Sequence, residues 1–188
     1  MKGDKIMKEP HPADGSAFAA YLPMIRATDG LTLSQVCALA KLEPSTIQNW
    51  IKRGFVPHPI MKKYRERHIA RILLIAALRD CMQIDRIGAL MTYINGDADD
   101  EQDDIISDVA LYDIFERVVD SVAHSEPTHE SVREESRRIL DEYMDPSPER
   151  DRLKEALIVM VIACIAGRYK QEADRLYSDL IKEENHGK

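Results

Sequence analysis

Apolar residues return at steps of three and four through most of the chain, and strict alternation of apolar and polar residues persists nowhere. That period belongs to helices that bury one face, so the sequence specifies an all-α protein. Its first sharp signal is Thr32 followed by Gln35, a capping box that opens a helix with Leu33, Val36, Leu39 and Ala40 on one side. A turn through Leu42 and Glu43 leads to Pro44, which suits the first position of a second helix. On that helix, residues 44–53, Ile47, Trp50 and Ile51 lie together, and Ser45, Gln48, Asn49 and Lys52 form the opposite face.

Gly54 stops the second helix, and the segment 55–63, with Pro57 and Pro59, is too proline-rich for a central strand but suits a small wing or extended loop. Further helices are expected over residues 65–81, 85–94, 105–124 and 131–144. A last one starts at Ser147-Pro148-Glu149 and reaches residue 183, either whole or parted near Gly167. Upstream, residues 1–15 read as a mobile arm and residues 16–22 as a short helix that Pro23 ends or kinks, with Asp29-Gly30 as a turn. The acidic run 96–104 reads as a linker. The expected division is therefore an arm at 1–27, a helix-turn-helix domain at 28–96, and an acidic helical dimerisation or partner domain at 97–188.

The net charge of −7 conceals a strong asymmetry. Residues 41–86 hold ten basic and four acidic side chains, whereas residues 97–151 hold five basic and nineteen acidic ones, so +6 is followed by −14. The first segment is suited to a polyanion and the second repels one, as in a DNA-reading module joined to a partner module.

The run Thr46-Ile47-Gln48-Asn49-Trp50-Ile51-Lys52-Arg53-Gly54-Phe55-Val56-Pro57 resembles the second helix and wing entry of MerR-like and excisionase-like winged helices. Pro57-His58-Pro59, Lys62-Lys63-Tyr64 and His68-Ile69-Ala70-Arg71-Ile72 resemble the uncharacterised bacterial domain-of-unknown-function 1836 family with the same MerR-like head. The resemblance covers residues 31–95 well and the acidic half loosely. It implies a MerR-like winged helix-turn-helix and binding to double-stranded DNA, and brings no reaction or operator; the helical periods of the acidic half add a helical bundle behind it. The wing is shorter than in typical MerR proteins, and Ser45 stands where many of them carry an arginine.

The residues themselves point the same way. Gln and Asn side chains bond bidentately to adenine in the major groove, which makes Gln48 and Asn49 the base-reading candidates beside Ser45. Lys52, Arg53, Lys62, Lys63, Arg65 and Arg67 are placed to meet phosphates, and Tyr64 either packs its ring or offers its hydroxyl to one. The bland alternative is a solvated charged face on a protein-interaction adaptor. Trp50, beside Ile47 and Ile51, reads as core rather than a base-stacking platform.

No catalytic, cofactor or metal site is expected. There is no phosphate-cradling glycine loop and no nucleophile with an orienting base. Asp97, Asp99, Glu101, Asp103 and Asp108 fall near calcium-loop positions, but Gln102 replaces the needed glycine and Asp104 the apolar residue after Asp103. His124, Glu126 and His129 straddle Pro127 without a fourth ligand. Cys37, Cys81 and Cys164, widely spaced in apolar patterns, read as buried free thiols and suggest a cytoplasmic protein. The apolar run 156–166 is shorter than the ~18 residues that span a bilayer and reads as the centre of the bundle. Residues Leu176, Tyr177, Leu180 and Ile181 are expected at a homodimer interface.

Overall fold

The structure, a computed structural model, describes residues 17–123 and 127–186, with side chains from 18 to 182; the expected arm at 1–15 and the histidine and glutamate at 124 and 126 lie outside the described residues. Eight helices follow one another: α1 (Ala17–Ala27), α2 (Leu33–Ala40), α3 (Pro44–Lys52), α4 (Glu66–Leu78), α5 (Ile84–Asn95), α6 (Asp108–Ala123), α7 (His129–Leu140) and α8 (Pro148–His186). The described residues contain no strand, so the all-α expectation holds.

Helix α4 is the axis of the molecule. His68, Ile69, Ala70, Arg71, Ile72, Leu74, Ile75 and Leu78 are all buried, and α1, α2, α5, α6 and α8 pack around it. A helix covered on every side is apolar on every side, which is why its sequence lacks a polar stripe. The core formed on it runs without interruption from Phe18 to Cys164. The core continues across residue 96: Ile105 and Ile106 are buried, Asn95 at the end of α5 donates to Ile106 O at 2.6 Å, and α6 packs against α4.

Helix α1 also departs from expectation. It runs through Pro23 and belongs to the body, since Phe18, Leu22 and Ile25 at i, i+4 and i+7 are buried and Phe18 meets Tyr112 edge-on at 5.3 Å between ring centroids. Burying three such side chains is worth ~1.5–3 kcal/mol each and exceeds the ~3 kcal/mol that an interior proline costs. The helix ends in a Schellman motif: Asp29, at φ 51°, is followed by Gly30, whose N–H donates to Ile25 O at 2.8 Å.

Three boundaries shift for local reasons. Helix α4 stops at Leu78, which leaves Cys81 exposed where a buried thiol was expected; Cys164 is buried and Cys37 half-buried. Helix α6 begins at Asp108, after Ser107 Oγ accepts from the N–H of Ala110 at 3.2 Å. Helix α7 begins earlier than expected because Thr128, not Ser131, is the cap, with Ser131 completing a capping box. Helix α8 is a single helix of 39 residues, roughly 58 Å long at 1.5 Å per residue. Its first half is the greasy stretch, yet Val159 and Ile162 within it are exposed, so the bundle covers only one side.

Candidate nucleic-acid interface

Helices α2 and α3 are held at fixed ends. Thr32 and Gln35 exchange the expected capping-box bonds, with Thr32 N–H donating to Gln35 Oε1 at 2.9 Å. Lys41 then adopts a left-handed conformation (φ 54°), and Leu42 N–H donates to Cys37 O at 3.0 Å, which closes α2 in a second Schellman motif. Pro44 opens α3 as its first residue. Gly54 closes it at φ 73°: its N–H donates to Ile51 O and that of Phe55 to Trp50 O, both at 2.9 Å. A left-handed residue is needed at this point, and glycine supplies it without strain.

Between those ends, Ile47 and Trp50 are buried and turn the opposite face of α3 outward. Ser45, Gln48, Asn49 and Lys52 are exposed, and none of the four forms a side-chain hydrogen bond or ion pair among the described residues. These groups are unspent. The three arginines are not: the Arg53 guanidinium pairs with Asp85 and lies 4.6 Å from the Phe55 ring centroid, Arg65 pairs with Asp29 at 3.1 Å, and Arg67 pairs with Glu101 and donates to Ala98 O at 2.7 Å. Lys63 Nζ donates to Gly30 O at 3.3 Å, whereas Lys62 is exposed and has no ionic partner among the described residues.

The segment expected as a wing is an extended loop with two isolated bridges, Leu31 with Tyr64 and Ile60 with Lys63. Its tip is a type I′ turn. Met61 and Lys62 both have positive φ, 49° and 62°, and Ile60 and Lys63 exchange backbone hydrogen bonds of 3.1 and 2.8 Å. Tyr64 resolves towards packing: it is 4% exposed, and burial pushes its phenol up. It forms the root of the loop and is set apart from the exposed set.

Behind the loop sits a feature that sequence reasoning missed. Arg71 and Asp108, with side chains 1% and 0% exposed, form a buried ion pair at 3.2 Å, and Arg71 Nε donates to Phe55 O at 2.8 Å. One guanidinium thus ties the end of α3 to the start of α6. Burial pushes the Asp108 carboxyl up, while Arg71 and then Arg67 hold it down. Next to it His68 is buried, which lowers its pKa, with Nδ1 accepting from Arg65 N–H at 3.2 Å and Nε2 facing His58 O at 3.0 Å. Donation to that carbonyl requires the neutral Nε2–H tautomer. In the sequence, Arg71 looks like one more member of the basic run; only its place amid Ile69, Ile72 and Ile75 hints at burial.

The acidic run 97–104 folds back on this corner. Asp99 accepts from both the His58 main-chain N–H at 2.9 Å and the His58 ring at 3.0 Å, which lowers its pKa, and Glu101 holds Arg67. Asp104, half-buried beside Asp108, is pushed up to about 7 by burial and by that second carboxylate. Among the described residues no group of His, Cys, Asp and Glu is arranged to hold a metal ion, and no helix is long and apolar enough to cross a membrane.

These elements define an all-helical protein in which α2 to α6 form one block around the buried arginine. Residues 28–115, which span that block to the middle of α6, match the family described as a domain of unknown function, DUF1836. The matched range includes the acidic run. The chain is also similar to the "Uncharacterized protein YkrK" of Bacillus subtilis (strain 168), at 22% identity over 161 residues, covering 79% of this chain and 69% of that protein. No solved structure matches it.

Proposed function

We propose that this protein is a sequence-specific DNA-binding protein, a transcriptional regulator in class, that reads double-stranded DNA with the outer face of α3 in a MerR-like manner. The observation that carries the reading is that Gln48, Asn49 and Lys52 are exposed, without side-chain partners among the described residues, on a helix opened by Pro44, closed at Gly54 and anchored by buried Ile47 and Trp50. A rigid helix whose amide side chains are free to meet base edges is what major-groove readout needs. Ser45 lies beside them on the same face, Lys62 extends the contact to phosphates, and Arg53, Lys63, Arg65 and Arg67 join after exchanging their present partners.

That last condition favours a second reading. Three of the six cations on this face are neutralised by carboxylates within the chain, as on a protein-interaction adaptor. Gel shift against bulk DNA at low salt separates the two: binding at micromolar protein supports the DNA reading, and a folded sample that binds none moves the assignment to the adaptor. Within a selected site, Asn49→Ala relaxes base preference at one position by ~1–3 kcal/mol, whereas Lys62→Ala weakens all sequences alike.

A further inference from the structure

We infer that the outer stripe of α8 is an interface for a second copy of this chain, independent of whether the protein binds DNA. From Val159 the helix carries Ile162, Ala166, Tyr169, Ala173, Leu176 and Leu180, at alternating steps of three and four, and every one of them is exposed. Steps of 3, 4, 3, 4, 3 and 4 return to one side of a helix and are the spacing of a coiled-coil seam. The core-facing residues Leu153, Leu157, Met160, Val161 and Cys164 occupy the opposite side, so α8 is apolar on two faces and the body covers one.

The second half of the stripe runs out past the body, which it touches only at its start, where Arg168, Tyr169 and Glu172 border Ala123 and Pro127. Gly167 passes close to Asp80 and Cys81, Gln171 bonds to Asp80, and every residue from Arg168 to Lys182 is exposed. Fifteen residues of helix standing in water are near the length at which an isolated helix is marginal, and a packed face is what stabilises such a segment. Tyr169 at 65% exposure and Leu180 at 64% lack that packing in a single chain.

The occupant follows from what else the chain offers. Of twelve exposed large apolar side chains among the described residues, seven lie on α8 and the other five are scattered over α1, the loop tip and α5. No other described surface carries a matching stripe, whereas a second α8 carries the same one, as a two-fold interface requires. The alanines at 166 and 173 let two helices approach closely between the larger Tyr169, Leu176 and Leu180. Charge permits the pairing. Residues 168–182 hold four basic and three acidic side chains, close to neutral, although the chain as a whole is at −7.

Light scattering on the full chain at tens of micromolar tests the proposal. Twice the chain mass is expected, and Leu176→Glu with Leu180→Glu should return it to one chain mass with the circular dichroism of a folded helical protein, since neither side chain belongs to the core. Ser178→Glu, on the far side of the same segment, should leave the dimer intact. A monomeric wild-type protein, a Leu176→Glu/Leu180→Glu protein that stays dimeric, or a Ser178→Glu protein that dissociates overturns it.

Discussion

At the scale of single residues the molecule turns on charges that the core encloses. Arg71 and Asp108 lie in the path of the core, and their pairing is costly to break, because removing one partner strands the other in a low-dielectric site. Arg71→Met should cost ~3–5 kcal/mol in denaturant unfolding. Adding Asp108→Leu should recover most of it, less ~1–3 kcal/mol for the Phe55 carbonyl that loses its donor. If the double variant is no more stable than the single one, Asp108 is not the stranded group. Asp104 gives a dependence on pH. The folded protein keeps its proton up to about 7, while an unfolded aspartate releases it near ~3.9. The folded state therefore binds more protons across that window, and stability falls as pH rises through it. His68 acts oppositely: its lowered pKa makes stability rise as pH climbs towards ~6.5. Asp104→Asn should thus gain over the wild type at pH 7.5 and gain nothing at pH 4, and a gain equal at both would rule out titration as its cause.

At the scale of elements, legibility follows local physics. Thr32, Gln35, Pro44 and Gly54 announce α2 and α3 because caps and stops are decided within a few residues, and the structure puts each in the anticipated role. Tertiary packing overrides the rest. Pro23 signals a stop by its chemistry, but α1 continues because Phe18, Leu22 and Ile25 find a core that no local rule can see. The acidic run 96–104 has the composition of a linker, yet it is fixed by partners about forty residues upstream in His58 and about thirty in Arg67. Of the candidate site, the exposed residues on α3 are readable from period alone; the burial of Tyr64 and Arg71 is not, since it depends on elements that arrive from elsewhere in the chain. Gly88 shows how closely these elements meet, because a Cβ there would lie 2.3 Å from the Phe55 ring. Gly88→Ala should therefore destabilise by up to about 2 kcal/mol, overpacking of ~1–3 kcal/mol being offset by ~1 kcal/mol of helix propensity. Phe55→Leu in that background should restore part of the loss, and a Gly88→Ala protein as stable as wild type would show that the ring is free to move.

At the scale of the whole molecule, the charge asymmetry becomes a contact. The basic segment 41–86 and the acidic segment 97–151 do not sit in separate domains; the start of the second closes over the edge of the first, with Asp99 on His58 and Glu101 on Arg67. Glu101 on Arg67 occupies the place that a phosphate takes in the proposed complex, so DNA has to displace it. Such exposed ion pairs contribute only ~0–1 kcal/mol to folding, and neutralising the loop should leave the protein folded. Asp99→Asn with Glu101→Gln should then bind bulk DNA more tightly than wild type at the same salt. Because Arg67 then keeps only its bond to the Ala98 carbonyl and no carboxylate neutralises it, the slope of log K against log salt should steepen by ~0.9 for each additional phosphate neutralised. The same pair of changes combined with Arg67→Ala should lose that added slope, since the cation that the loop released is gone. An Asp99→Asn/Glu101→Gln protein with wild-type affinity and slope would show that the acidic run and the DNA do not compete, and that the polyanion-binding face lies on α3 alone.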